Sequence, residues 1–184
     1  VHNLWYSSVA AACKARDKFG SGRIAGSIGP LRASYRPDIC PPVEEASSIY
    51  KEKVESIAPM VDILLVETVC SLKQAEGVLA ATDNSNKPVW ISFSVDDNDG
   101  TKLRSGENLE DVKAVINNHF VEAVLINCSP PEVVGSALSI LSKMGLAFGA
   151  YANGFSKISS DFLKTRPTVD ALTTRKDLGP EEYS

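Results

Sequence analysis

Five short apolar runs, separated by longer amphipathic segments, dominate the hydrophobic pattern of this chain. The runs are rich in β-branched residues and predict strands over residues 23–28, 62–66, 88–93, 123–127 and 146–151. Each run is nearly continuous in apolar character rather than alternating. Strands that are covered on both faces have this pattern, as in parallel sheets.

The segments between the runs carry the start and stop signals of helices. The pattern predicts helices over residues 4–19, 41–58, 72–81, 108–118 and 131–144. Two of them open with proline, at Pro41-Pro42 and at Pro131, with glutamate in the first turn, and Gly145 ends the last one. Strands and helices that alternate at this spacing indicate βαβ units and a parallel sheet in one α/β domain spanning residues 1–184.

Two parallel architectures fit this order, a (β/α)8 TIM-type barrel and an open, doubly wound sheet. Successive predicted strands are about 31 residues apart, so eight units would need roughly 250 residues, the usual size of such a barrel. Five strands would also make a complete open sheet. However, the chain begins in a predicted helix with no strand before it, and residues 179–184 resemble the start of another helix. This favours an incomplete barrel with about five of its eight strands.

Composition and charge argue against several classes of partner. The formal net charge is −4 and no basic stripe is present, so nucleic acid is not an expected partner. No apolar run approaches the roughly 18 residues of a membrane span, and the N-terminus lacks the features of a signal peptide. The cysteines at positions 13, 40, 70 and 128 show no Cys-x-x-Cys spacing, which suits a reducing compartment. We therefore expect a cytoplasmic protein with free thiols.

Polar side chains close all five predicted strands. They are Ser27, Glu67, Thr68, Ser92, Ser94, Asn127, Cys128, Ser129, Tyr151 and Asn153. A barrel carries functional groups at the carboxyl ends of many strands, whereas an open sheet collects them at one switch point. This spread favours the barrel only modestly, because strand ends border polar loops in any fold. The aspartate-rich segment 96–100 lacks the first and last ligands of a calcium loop and predicts a solvated turn.

Taken in order, these strand ends resemble those of the homocysteine S-methyltransferase family. The matching segments are Ala-Gly-Ser-Ile-Gly-Pro at 25–30, Asp-Ile-Leu-Leu-Val-Glu-Thr at 62–68, Pro-Val-Trp-Ile-Ser-Phe-Ser at 88–94, Ile-Asn-Cys-Ser-Pro at 126–130 and Gly-Ala-Tyr-Ala-Asn-Gly at 149–154. They lie at compatible spacings over nearly the whole chain. The resemblance implies a barrel of which the third to seventh strands are present.

Members of this family transfer a methyl group from an onium-type or folate donor to the sulfur of homocysteine, giving methionine. The resemblance implies that Cys128 is one of three cysteine ligands of a zinc ion, which would keep the reacting thiol deprotonated. It also implies that Glu67 binds the ammonium group of homocysteine. Thr68, Ser27 and Asn153 would line the same pocket, and Asn153 would fill the open metal position when homocysteine is absent.

The chain departs from the family pattern in two places. It lacks the Gly-Gly-Cys-Cys motif that supplies the other two zinc ligands, and it lacks the Asp-Gly-Gly segment of the first strand. Cys13 and Cys70 fall in helical patterns, and none of Cys13, Cys40 and Cys70 is predicted at a strand end. We therefore expect this polypeptide alone to bind zinc poorly and to lack turnover. Its unpaired sheet edges predict either self-association or stabilisation by further segments of the protein. The alternative is a non-catalytic barrel relative that acts as a binding or interaction module.

Overall fold

The computed structural model describes residues 2–158, 172–179 and 181. Helices and strands alternate along this part of the chain, as predicted. In order they are α1 (His2–Phe19), β1 (Ala25–Ile28), α2 (Val43–Ile57), β2 (Ile63–Val69), α3 (Leu72–Thr82), β3 (Val89–Phe93), α4 (Val112–Ile116), β4 (Val121–Asn127), α5 (Pro131–Leu141) and β5 (Ala147–Tyr151). Short 3-10 turns at Pro37–Ile39, Ala58–Met60 and Leu109–Asp111 precede α2, β2 and α4.

The strands form one parallel sheet in the order β1-β2-β3-β4-β5. Each strand pairs in parallel with the next strand along the chain. Strands that follow one another in space as they do in sequence, with helices between them, have the order of a TIM-type barrel. A doubly wound sheet instead reverses its strand order at a switch point. The open-sheet alternative is therefore wrong for this chain.

The sheet is curled rather than flat. The side chains of Ser27, Glu67 and Tyr151 are hydrogen-bonded together, although they belong to β1, β2 and β5. In a flat sheet β2 and β5 would lie roughly 14 Å apart, because neighbouring strands are about 4.8 Å apart. Their side chains would then not meet. Among the described residues β1 and β5 do not pair with each other, so the curl leaves a gap between these two strands.

Helices cover the outer face of the curled sheet. Outward-facing residues such as Val66, Ile91 and Phe93 are fully buried in the core between strands and helices. Gly26 allows α2 to approach β1 closely, since a Cβ at this position would lie only 3.0 Å from the Ile57 side chain. This packing holds the strands in register and fixes the polar residues at their carboxyl ends.

The observed elements differ from the predicted ones mainly at their ends. β2 continues to Val69, so Glu67 and Thr68 lie within the strand rather than after it. The helix predicted over 108–118 is a 3-10 turn followed by the five-residue α4. The last predicted helix ends at Leu141 instead of residue 144. Of the helix start predicted at 179–184, the structure describes only residues 179 and 181, and residue 181 is helical.

Cys70 is not helical, and the prediction that it lies away from a strand end is wrong. It directly follows β2 and precedes α3, whose N-cap is Ser71. The Ser71 hydroxyl accepts a hydrogen bond from the backbone N–H of Gln74 at 3.1 Å. The side-chain oxygen of Gln74 in turn accepts one from the backbone N–H of Cys70 at 2.7 Å. This capping makes the helix begin after Cys70.

The outermost elements expose apolar surface. On β5, Phe148 is 48% exposed and Tyr151 is 39% exposed, and Leu4 and Phe19 of α1 are more exposed still. Self-association through the sheet edges stays a prediction. No described helix combines the length and the apolar character that crossing a bilayer requires.

Candidate active site

Cys128 lies at the mouth of the curled sheet, directly after β4. It is half-buried, and its backbone φ of +53° falls in the left-handed region that non-glycine residues seldom adopt. Its sulfur accepts hydrogen bonds from Asn127 Nδ2 at 3.2 Å and from the Thr68 hydroxyl at 3.5 Å. The thiol is therefore held at the carboxyl ends of the strands rather than enclosed in the core.

A bulge in β2 brings Thr68 to this thiol. The pairing of β2 with β3 contains one extra residue on β2 between Val66 and Val69. Thr68 itself has a φ of +59°. Its backbone N–H donates to Asn127 Oδ1 at 3.0 Å, and its hydroxyl accepts from Asn127 Nδ2 at 3.0 Å. The buried amide of Asn127 thus fixes both Thr68 and the sulfur of Cys128.

Glu67 turns its carboxylate towards the inside of the curled sheet. Oε2 accepts a hydrogen bond from the hydroxyl of Ser27, and Oε1 accepts one from the hydroxyl of Tyr151 at 2.9 Å. Burial raises the pKa of the Tyr151 phenol well above its ordinary value; the Ser92 hydroxyl opposes this effect, and the Glu67 carboxylate adds to it. The phenol therefore stays a donor at neutral pH. Glu67 forms no ion pair with any described residue, so its charge is available to a cationic ligand.

Asn153 and Tyr35 close the other side of Cys128. Asn153 is buried, and its backbone N–H donates to the carbonyl of Ser129 at 2.9 Å. Tyr35 lies between β1 and α2 and also has a positive φ, of +64°. Its hydroxyl faces both the thiol of Cys128 and the side chain of Asn153. Burial, and next the neighbouring thiol, raise the pKa of this phenol.

Arg104, between β3 and α4, connects the loops around Cys128. Its guanidinium pairs with Asp97. It also donates to the Ser94 hydroxyl at 2.9 Å and to the backbone carbonyl of Cys128 at 3.4 Å. The guanidinium carbon lies 4.6 Å from the centre of the Tyr35 ring. Since the side chains of Arg104 and Asp97 are only 10% and 8% exposed, this pair is a buried support for the backbone that carries the thiol.

The prediction of a solvated turn at 96–100 is wrong for Asp97. Asp96 does form a turn, because its Oδ1 accepts from the backbone N–H groups of Asn98 and Asp99. Asp97 is buried because one carboxylate oxygen pairs with Arg104 and the other accepts from the backbone N–H of Ile158 at 2.7 Å. The second of these partners is 61 residues away along the chain, so the local composition could not reveal it.

A family model for homocysteine S-methyltransferases matches residues 1–183. The chain belongs to the homocysteine S-methyltransferase family. Homocysteine S-methyltransferase 1 of Brassica oleracea var. italica is 26% identical over 168 residues, which cover 77% of this chain and 50% of that protein. A selenocysteine methyltransferase of Astragalus bisulcatus is 29% identical over 105 residues, which cover 55% of this chain and 30% of that protein. The chain thus spans half the length, or less, of these curated relatives.

Solved structures of the homocysteine methyltransferase MmuM from Escherichia coli share the fold. The metallated form superimposes with a TM-score of 0.75 at 28% identity and covers 89% of this chain and 61% of that one. The oxidised form gives a TM-score of 0.70 at 23% identity, over 90% of this chain and 71% of that one, and shows the fold alone. The family and these neighbours confirm the predicted TIM-type barrel architecture.

The site residues expected for this family converge at the mouth in two groups. The first group is the thiol of Cys128 with Thr68 and Asn153 beside it. The second group, which we call the carboxylate cluster, consists of Ser27, Glu67 and Tyr151. Their roles in binding a substrate or metal stay predictions. Sequence reasoning missed Tyr35, Arg104 and Asp97. All three residues lie in loops that follow strands, and such loops line the functional face of a barrel. This position is the feature of the sequence that could have indicated them.

None of the other cysteines forms a metal-binding group with Cys128 in the described part of the chain. Cys13 donates to the Met60 carbonyl at 3.7 Å, and the buried Cys70 donates to the Thr68 carbonyl at 3.3 Å. Burial raises the pKa of Cys70 to about 12. Within residues 2–158, 172–179 and 181, no three His, Cys, Asp or Glu side chains form a group that could hold a metal ion.

Proposed function

We propose that the protein transfers a methyl group to the thiol of homocysteine, giving methionine. The observation that carries this proposal is that one mouth of the sheet holds both a hydrogen-bonded thiol and a carboxylate that forms no ion pair with any described residue. Thr68 contacts the sulfur of Cys128, and the adjacent residue Glu67 supplies the carboxylate. Homocysteine carries a thiol and an ammonium group, which match these two positions. The family and the MmuM structures support the same reaction.

Glu67 would bind the substrate ammonium through charge-assisted hydrogen bonds, which are roughly twice as strong as neutral ones. The Ser27 hydroxyl, which donates to Oε2, orients the carboxylate for this contact. In the transfer step, the homocysteine sulfur attacks the methyl carbon of the donor. The bond between that carbon and the donor heteroatom breaks, and its electron pair stays with the donor. The proton of the homocysteine thiol passes to solvent before or during this step.

The family implies a zinc ion, and the described residues can be examined for side chains that would bind it. Cys128 presents one soft thiolate ligand, of the kind that zinc prefers, and its sulfur already receives two hydrogen bonds suited to negative charge. No group of three suitable side chains accompanies it in the part of the chain that the structure describes. These residues alone do not fit a zinc site. We therefore propose Cys128 as one ligand of a site completed by groups outside them, and expect the 184-residue polypeptide alone to bind zinc poorly.

The test replaces Cys128 in the intact protein and measures methionine formation from homocysteine with sulfonium, betaine and methylfolate donors. Cys128→Ala is expected to abolish methionine formation with every donor and to lower the zinc content. Cys13→Ala is the matched control, because Cys13 lies on α1 away from the mouth. Full activity, or one zinc per chain, in Cys128→Ala would contradict the proposal.

A second test concerns the substrate. In the intact protein without a methyl donor, calorimetry should show homocysteine binding that weakens roughly 10- to 100-fold in Glu67→Gln, since a hydrogen bond to a charged group is lost. Homocysteine binding without turnover for any donor would instead favour the non-catalytic binding module. We also propose a cytoplasmic location, because all four cysteines are free.

A further inference from the structure

Ser92 places an unpaired hydroxyl beneath the carboxylate cluster. It lies on β3, and no part of its surface is exposed. Its Oγ has no hydrogen-bond partner among the described residues. Buried hydroxyls in folded proteins are nearly always paired, so an orphan of this kind calls for an explanation. The hydroxyl would be explained if it gains a hydrogen-bond partner when a ligand occupies the site.

The hydroxyl of Tyr151 lies between Ser92 and Glu67. It donates to Glu67 Oε1 at 2.9 Å. Ser92 and Tyr151 both face the inside of the curled sheet, because Ser92 aligns with Leu125 on β4 and Leu125 aligns with Gly149, two residues before Tyr151. The Ser92 hydroxyl is close enough to oppose the effect of burial on the pKa of the Tyr151 phenol. A short movement of the phenol would therefore reach Ser92.

Both oxygens of Glu67 are already engaged by neutral hydroxyl donors, Ser27 on Oε2 and Tyr151 on Oε1. An ammonium group forms stronger hydrogen bonds to a carboxylate than a phenol does. It would therefore displace the weaker donor from the oxygen that it approaches. Both donors are exposed residues of outermost strands. Tyr151 is the one with a second acceptor close by, because the unpaired Oγ of Ser92 lies beside its hydroxyl.

We propose that Tyr151 exchanges hydrogen-bond partners when homocysteine binds. Its hydroxyl leaves Oε1 of Glu67, which then accepts the substrate ammonium, and donates instead to Oγ of Ser92. Ser92 and Tyr151 are thus positioning residues for the amino acid end of the substrate. This inference rests on the proposed function, since it takes Glu67 as the acceptor of the ammonium group.

Ser92 then gains in the bound state a hydrogen bond that it lacks in the free one. Ser92→Ala should weaken homocysteine binding about three- to tenfold, the effect of one net hydrogen bond. The same substitution should leave the thermal stability of the free protein unchanged or slightly raised, because it removes an unpaired hydroxyl. Ser92→Cys, of similar size but with a weak acceptor, gives the same comparison should Ser92→Ala fail to fold.

The experiment is a double-mutant cycle measured by calorimetry on the intact protein, with homocysteine as ligand. The effect of Ser92→Ala on the dissociation constant is measured in the natural protein and again in the Tyr151→Phe variant. Tyr151→Phe has no phenol hydroxyl that could change partners. The effect of Ser92→Ala should vanish in the Tyr151→Phe background. It should also vanish for 4-mercaptobutanoate, a homocysteine analogue without the amino group, because this ligand does not displace Tyr151 from Glu67.

An equal loss of affinity in both backgrounds would mean that Ser92 acts only through packing and would overturn the proposal. An unchanged affinity of Ser92→Ala for homocysteine would overturn it as well. Glu67→Gln distinguishes a failure of the proposed ammonium-binding role of Glu67 from a failure of the exchange of partners by Tyr151. If Glu67→Gln binds homocysteine normally, the proposed role of Glu67 fails; if only the Ser92 effect is absent, the exchange of partners fails.

Discussion

The hydroxyl of Thr68 donates to the sulfur of Cys128 at 3.5 Å, and both residues have left-handed backbone conformations, with φ values of +59° and +53°. Such conformations are costly for residues other than glycine and persist only where the surroundings enforce them. Here the enforcing group is the side chain of Asn127, which bonds to both residues. The thiol is therefore held in place by contacts between the ends of β2 and β4, which lie on either side of β3.

Asn127→Ala is expected to destabilise the intact protein by about 2 kcal/mol, because it leaves the backbone N–H of Thr68 buried without a partner. Urea unfolding measures this change. Asn118→Ala is the control, since the exposed Asn118 amide only contacts the Ala114 carbonyl at 3.2 Å, and it should have little effect. Equal effects of the two substitutions would show that Asn127 does not enforce the two strained conformations.

Arg104→Met is expected to cost about 3–5 kcal/mol, because it leaves the carboxylate of Asp97 buried without its cation. Chemical denaturation of the intact protein tests this value. Lys51→Met removes the exposed pair between Lys51 and Glu55 and should change stability little. A cost below about 1 kcal/mol for Arg104→Met would contradict the interpretation of this pair as a buried support.

The stability of the protein should fall as the pH rises above about 8.5, and Cys70 should be one cause. Burial raises the pKa of the folded Cys70 thiol to about 12, whereas an unfolded cysteine ionises near about 8.5. Between these values the unfolded chain loses the proton and the folded chain keeps it, so folding becomes less favourable by about 1 kcal/mol from pH 8 to 9.5. Cys70→Ala should reduce this slope in urea unfolding at several pH values, and Cys13→Ala should not. An identical slope in Cys70→Ala would assign the effect elsewhere.

A polypeptide of residues 1–184 is expected to self-associate through the outer strands β1 and β5, because unpaired strand edges are templates for pairing. Phe148→Lys on β5 places a charge on the exposed surface of this strand and should reduce association in sedimentation velocity at micromolar concentration. Phe120→Lys is the control, since Phe120 is also exposed but precedes β4. A monodisperse monomer of the unmodified polypeptide would refute this prediction.

The strand order and the strand-end residues could be predicted from the sequence because both follow from local patterns. The apolar runs mark the strands, and Cys128 directly follows one of them, although Glu67 lies inside β2 rather than after it. The contacts of Tyr35, Arg104 and Asp97 could not be predicted in this way, because they join loops that are distant along the chain. The helical prediction for Cys70 is wrong because α3 starts only after Ser71, and the capping bond between Ser71 and Gln74 that sets this start depends on side-chain geometry.

The bulge in β2 has a consequence for the size of any ligand that spans the mouth. In a regular strand, adjacent side chains point to opposite faces, yet Glu67 and Thr68 serve the carboxylate cluster and the thiol from a single peptide unit. Their Cα atoms are tied at about 3.8 Å by covalent bonds. A ligand that contacts both the carboxylate cluster and the thiol must therefore match a spacing that β2 itself contributes to, rather than one set by the surrounding loops alone.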